Sequence, residues 1–169
     1  TFFATAHRVV RAHGGVLEEF VGDAVMAIWN APEACPHHPE RALQAAEALV
    51  REMSDLLPEH APSGLEPLAI GVGLETGNAL VGSFGAAERR VHTALGETVT
   101  VAVRLQGMTV DLASSIVVGP GAAAQLPSAR LVSVGSFLLE GLQRPRTLYL
   151  PALQVEVEQN GHRCIRLVA

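Results

Sequence analysis

Three stretches of this sequence hold residues whose types and spacing could do chemistry. The first is Gly14-Gly15 and, after six intervening residues, Gly22-Asp23. A carboxylate at the tip of a tight turn can reach a hard cation such as Mg²⁺ without burying its charge; Asp23 equally suits the position as a turn former. The second is Gly71-Val72-Gly73-Leu74-Glu75-Thr76-Gly77, with Gly82 and Gly85 behind it. Glycines at this density let backbone N–H groups approach phosphates, or serve strand crossing and turns alone. The third is Gly96-Glu97-Thr98-Val99-Thr100-Val101-Ala102-Val103-Arg104-Leu105. On a helix, Thr100 and Arg104 project from one face, where an arginine can stabilise charge on a transferring phosphoryl group or sit in a solvated, salt-bridged surface.

The elements that must position these residues follow from periodicity and turn chemistry. Phe2 to Ala12 reads as a helix on the spacing of Phe3, Ala6, Val9 and Val10, stopped by Gly14-Gly15. Val16 to Phe20 and Ala24 to Trp29 are β-prone runs around Val21-Gly22-Asp23, a tight hairpin. Asn30 to Pro39 is a loop, and Glu40 to Met53 repeats Ala, Leu and Val at helical spacing. Ser54 to Pro67 reads as a surface connection, and Leu68 to Leu74 and Ala79 to Phe84 as a second hairpin joined through Thr76-Gly77-Asn78. Val91 to Leu95 is a short strand, Thr98 to Met108 a helix, Ser115 to Val118 a strand and Ala122 to Gln125 a helical turn. Leu131 to Leu139 and Thr147 to Leu150 are strands, and Gln154 to Glu158 and Arg163 to Leu167 flank the hairpin signal Asn160-Gly161. Hairpins with intervening helices predict an α+β fold, with helices on one face of a mainly antiparallel sheet; Phe20, Trp29 and Phe84 are expected in its core.

Composition excludes several function classes. The 169 residues are 49% hydrophobic and 17% charged, against about 25% charged in an average globular protein, so the chain folds. The 12 Lys and Arg are scattered and the net charge is −5, so no basic stripe exists for nucleic acid. No apolar run approaches the ~20 residues of a membrane span. Cys35 and Cys164 lack metal or disulfide-scaffold spacing, which makes a reducing cytoplasm the expected location. Cys35-Pro36-His37-His38 resembles a metal cluster by composition but reads as a plain loop, its ligands crowded between prolines. The chain begins at Thr1 without Met and reads as a fragment.

In this order the three stretches resemble the catalytic domain of class III nucleotidyl cyclases, which convert a nucleoside triphosphate to a 3′,5′-cyclic nucleotide and pyrophosphate. HGGVLEEFVGDAVMAIW is similar to the family's segment bearing its second metal aspartate, and GVGLETGNALVGSFG to its glycine-rich hairpin. HTALGETVTVAVRLQ resembles its helix of transition-state residues, GSFLLEGLQRPRTLYL its closing strands, and HHPERALQAAEALV its intervening helix. The resemblance implies a ferredoxin-like, antiparallel-rich sheet over residues 1–150; it leaves 151–169 as a C-terminal extension, which the Asn160-Gly161 signal reads as a β-hairpin. It implies Asp23 as metal ligand and Arg104 as the arginine that stabilises the transition state. Gly77 and Gly82 belong to its nucleotide-binding stretch.

Several positions depart from the pattern. Glu19 stands where the family has a base-selecting lysine, and Glu140 where a lysine meets the triphosphate. Thr100 replaces an asparagine and cannot offer the same amide donors and acceptor. Thr93, at the other base-contacting position, is a tolerated variant. Like charges ~4 Å apart cost on the order of 4 kcal/mol at an effective dielectric of about 20, so two lysine-to-glutamate changes reverse the pocket's field. The family's first metal aspartate lies on an opening strand before its first helix, and this chain begins inside that helix, so a two-metal site is not expected from these residues alone.

Two readings follow. One is a cyclase-like domain impaired or inactive as this chain, acting as a dimerising signalling module. The other is an active cyclase of altered base specificity, using Mg²⁺ or Mn²⁺ and an aspartate upstream. Either way the resemblance implies a second cyclase domain as partner, identical or not, because the family builds its active sites between two domains. The opening strand would lie inside the sheet, where a gap leaves backbone groups unpaired. Upstream sequence is the expected occupant, since Val155, Val157, Ile165 and Leu167 alternate with polar residues as suits a half-exposed strand.

Overall fold

The computed structural model describes residues 2–21, 24–60, 69–86, 88–152 and 164–168; at 19–21, 56–60, 69 and 164–168 it describes the backbone alone. Helix α1 (Phe2–Ala12) buries Thr5, Ala6, Val9 and Val10 and ends where Gly14 takes φ +78°. A glycine is also needed at Gly15, because a Cβ there would lie 2.5 Å from the Trp29 ring. The Trp29 indole in turn donates to the His13 carbonyl at 3.0 Å and fastens the turn. Strands β1 (Val16–Val21) and β2 (Ala24–Ile28) form the expected antiparallel hairpin.

Helix α2 (His38–His60) is longer than its periodicity suggested. It begins two residues earlier and runs on through Ser54 and Pro58, where the sequence reads as a connection. The Ser54 hydroxyl donates back to the Val50 carbonyl at 2.9 Å instead of breaking the helix. Strand β3 (Ala69–Leu74) follows, then β4 (Leu80–Ala86) and β5 (Arg89–Leu95). The predicted β3–β4 hairpin is corrected: β4 pairs with β5 in a separate two-stranded sheet, and β3 pairs elsewhere. The linker is redirected by α3 (Glu97–Asp111), whose Thr98 hydroxyl donates to the Asn78 carbonyl at 2.8 Å. Phe84, expected in the core, sits part-exposed on β4 and in neither described core cluster. The chain closes through β6 (Ile116–Val118), the short α4 (Pro120–Ala123), β7 (Leu131–Phe137), β8 (Arg146–Pro151) and β9 (Cys164–Val168).

The main sheet has the order β1-β2-β9-β3-β6-β8-β7. Strand β9 lies in its interior, parallel to both β2 and β3. This corrects the expectation that the interior slot falls to upstream sequence: here β9 occupies it. It also fills the slot backwards. A ferredoxin-like opening strand, passing through α1 into β1, would run parallel to β1 and hence antiparallel to β2. The Asn160-Gly161 turn and its first strand lie outside the described residues.

Helices cover both faces of the sheet rather than one. Strand alternation sends Ile70, Val72 and Leu74 into a core with Ala6 and Val9 of α1 and Leu43, Ala46 and Leu49 of α2. Gly71 and Gly73 face α3, where a Cβ would stand 2.5 Å from Thr109 Oγ1 and 2.1 Å from the Ala102 carbonyl oxygen respectively. Their lack of side chains lets helix and strand touch, and Val101 and Leu105 then bury against Val117, Leu139 and Leu148. The fold is α+β, with no described helix long and apolar enough to cross a membrane.

Candidate active site

Among the sequence-predicted residues that the structure describes, two pairs come together. On the β4–β5 ribbon, Gly82 and Thr93 are direct cross-strand partners. Thr93 is buried, while Gly82 has open space where a side chain would be. The ribbon is anchored to β1 by Glu18, whose carboxylate is 5% exposed and meets His92 Nδ1 at 2.5 Å. Sequence reasoning singled out Glu19 and missed Glu18. The β1–β2 pairing shifts register between Leu17 and Glu19. Such a bulge breaks the simple alternation of faces. Glu19 pairs in register with Met26, and its side chain lies outside the described residues.

The second pair is Arg104 with Glu140. Arg104 lies one turn beyond Thr100 on α3, and its guanidinium reaches the turn between β7 and β8. Nε–H donates to the Glu140 carbonyl at 3.0 Å, and a terminal nitrogen lies 3.1 Å from the Glu140 carboxylate. Thr100 is exposed, and its hydroxyl turns back toward the Gly96 carbonyl at 3.4 Å. Gly77 packs on Thr98, where a Cβ would be 2.6 Å from the hydroxyl oxygen. Gly71 and Gly73 serve helix packing, so the glycine-rich stretch divides between structure and site.

Beside Gly77, a cavity of about 440 Å³ opens between the C-terminal ends of β2 and β3 and the first turn of α3, lined in part by Trp29, His38, Asn78 and Val99. Of the predicted site residues that the structure describes, only Gly77 lines it. Glu75, which sequence reasoning did not single out, lines it too and ties β3 to α4. Its carboxylate accepts from the Thr76 and Ala122 N–H groups at 2.8 and 2.9 Å. Burial pushes its carboxyl above the ordinary range, opposed by the Thr76, Ala122 and Gly121 N–H groups and the nearby Arg146 charge. A Cβ on Gly119 or Gly121 would collide with this carboxylate, at 2.3 and 2.8 Å. Burial likewise lowers the His38 imidazole below 6.5.

Asp23, the expected metal ligand, lies outside the described residues. Among those described, no three His, Cys, Asp or Glu side chains gather in a way that could hold a metal ion. Cys35 is a buried free thiol whose backbone N–H donates to Asn30 Oδ1 at 2.8 Å, and His38 opens α2.

Comparisons with known proteins agree with this architecture. The family model described as adenylate and guanylate cyclase catalytic domain matches residues 1–152. Adenylate cyclase 1 of Rhizobium meliloti is 40% identical over 124 residues, covering 73% of this chain and 19% of that protein. The chain therefore spans about a fifth of that relative's length. Among solved structures, the guanylyl cyclase Cya2 superposes with a TM-score of 0.77 at 22% identity, covering 92% of this chain and 78% of that one. The adenylyl cyclase CyaB from P. aeruginosa gives a TM-score of 0.74 at 22% identity, covering 94% and 80%. Purine type thus varies among proteins of one shape. On sequence and fold together, the chain belongs to the adenylate and guanylate cyclase catalytic domain family.

Proposed function

We propose that this chain is a nucleotide cyclase-like domain whose turnover is impaired and which acts as a dimerising signalling module. The observation that carries this reading is the Arg104–Glu140 pair. An arginine suited to a phosphoryl group is engaged by a carboxylate of its own chain, at the position where the family resemblance places a phosphate-binding lysine. Thr100 adds to this, because its hydroxyl turns back to its own helix where an amide is expected to reach outward. Any divalent ion would depend on Asp23, with Glu19 at the position of the family's base-selecting lysine and Thr93, Gly77 and Gly82 shaping the nucleotide's surroundings. Dimerisation follows from the resemblance, and the exposed Leu80 and Leu95 on the β4–β5 ribbon, with Val103 on α3, offer apolar surface for it. The buried free thiol of Cys35 suits a reducing cytoplasm.

The test is turnover of ATP, GTP, CTP and UTP by the purified chain with Mn²⁺, beside its sedimentation profile. No cyclic nucleotide above background and a concentration-dependent dimer are expected. Cyclic product that rises in proportion to protein and vanishes in Asp23→Ala would falsify the impairment and establish an active cyclase. A strictly monomeric chain would remove the dimerising role.

A further inference from the structure

The grip of Glu140 on Arg104 has two parts with different chemistry. The backbone carbonyl takes Nε–H at 3.0 Å, and the carboxylate meets a terminal nitrogen at 3.1 Å. The first would survive any side chain at this position; the second is specific to an acid. The turn that delivers both is fixed. Leu139 is 3% exposed within the core beneath α3, the Leu142 N–H donates to the Leu139 carbonyl at 3.0 Å, and Gly141 takes φ +81°. Gly141 also leaves room over the guanidinium, since a Cβ there would come no closer than 4.0 Å to it. A guanidinium carries five N–H donors, so these two contacts leave three for another acceptor. The Glu140 side chain is 83% exposed and that of Arg104 39%, which lets the carboxylate swing into solvent without burying charge.

We propose that Glu140 is a built-in counter-anion that gates Arg104. Its carbonyl keeps the guanidinium aimed, while its carboxylate holds the edge that an incoming phosphate oxygen would take. A polyphosphate that takes this edge as well as the three open donors displaces that carboxylate, so the acid lowers the affinity of the site for anions. The inference rests on the reading above that Arg104 faces a nucleotide's phosphates.

The probe is inorganic tripolyphosphate, titrated calorimetrically into the whole chain and its variants Glu140→Gln, Arg104→Gln and the double variant. Glu140→Gln keeps the carbonyl and removes the competing charge, and should tighten binding about three- to tenfold. In the Arg104→Gln background the same change should alter affinity less than about twofold. A gain of equal size in both backgrounds overturns the gate in favour of a general field effect, and so does no gain in either. A second readout needs no ligand. The Arg104 Nε–H resonance should shift in Glu140→Gln and stay in place in Glu97→Gln, a control that breaks the pair with Arg146. An unmoved resonance in Glu140→Gln overturns the carboxylate grip itself. A moved resonance with no tripolyphosphate bound by any of the four proteins keeps the grip, but overturns both the gating and the nucleotide reading on which it rests.

Discussion

The two faces of the seven-stranded sheet are built to different depths. On the α1–α2 face, large side chains fill the space between layers: Leu43 and Leu49 are fully buried against Val25, Val72 and Ile116. On the α3 face there is little space to fill, because Gly71 and Gly73 bring strand and helix backbones into near contact. The core there is Val101, Leu105, Val117, Leu139 and Leu148, with part-exposed Met108 and Leu112 at its edge. The thick face stabilises and the thin face presents. Arg104, Glu140, Thr100 and the exposed Val103 and Val110 all belong to α3 or the turn it meets. An element held mainly by backbone proximity keeps its outward side chains free for other work.

The largest expected effect tests that proximity. Gly73→Ala would place a methyl group 2.1 Å from the Ala102 carbonyl oxygen and 2.5 Å from the Gln106 nitrogen, both helix backbone. Thermal unfolding should show a loss of about 3 kcal/mol or more, whereas Gly82→Ala, with nothing within 4 Å, should stay within about 0.5 kcal/mol. A harmless Gly73→Ala would mean that α3 rides on side chains after all.

Next come cavities on the two faces. Leu43 and Leu105 are each 0% exposed, and Leu→Ala at such sites costs about 2–5 kcal/mol depending on how far the surroundings relax. Denaturant midpoints should place Leu43→Ala near the top of that range and Leu105→Ala near the bottom, since part-exposed Met108 and Leu112 can settle into the second cavity. The reverse order would break the contrast of faces. A smaller effect is expected where the chain cross-links the thick face. The Arg130 guanidinium donates to both Glu47 carboxylate oxygens, at 2.8 and 2.9 Å. With side chains 34% and 24% exposed, Glu47→Ala should cost about 1 kcal/mol by urea unfolding.

The smallest effect is a slope. Glu75 titrates above 4.5 in the folded chain because of burial, so the native state holds its proton more tightly than the unfolded state does. Its contribution to stability is fully present below pH 4.5 and is lost as pH rises through the raised value. Glu75→Gln should remove that part of the slope, so the stability gained by the variant relative to the parent should grow from pH 4.5 upward. A gap that narrows with pH would place the N–H groups of Thr76, Gly121 and Ala122 above burial as the stronger influence.

Local signals were legible in the sequence and pairing was not. The spacing of Ala6, Val9 and Val10 and the Gly14 stop gave α1 to the residue, and Gly22-Asp23 between β-prone runs located the first hairpin. The order of motifs carried the family. Strand partnership is decided by distant segments, so an alternating run looks the same whether it joins β3 or stands apart with β5. For the same reason, the alternating run at Arg163 to Leu167 was not expected in the interior slot, where β9 lies. The resemblance singled out Arg104 and Glu140 as candidates but said nothing of their touching, because they lie 36 positions apart in sequence. Glu18 and Glu75 were not singled out because their partners, His92 and the Ala122 N–H, lie far away in sequence and meet them only in the fold.

The place of β9 also sets a timetable. Its two neighbours, Ala24–Ile28 and Ala69–Leu74, both precede it by a long stretch of chain. At ~5–20 residues per second of synthesis, β2 and β3 wait on the order of ten seconds before the strand that unites them exists. During that interval the sheet is two pieces, a β1–β2 hairpin and a β3–β6–β8–β7 block still growing, each with an open edge. Open edges pair with whatever strand arrives first. The nascent chain is therefore most vulnerable to association with its neighbours during that interval, before β9 closes the gap between β2 and β3.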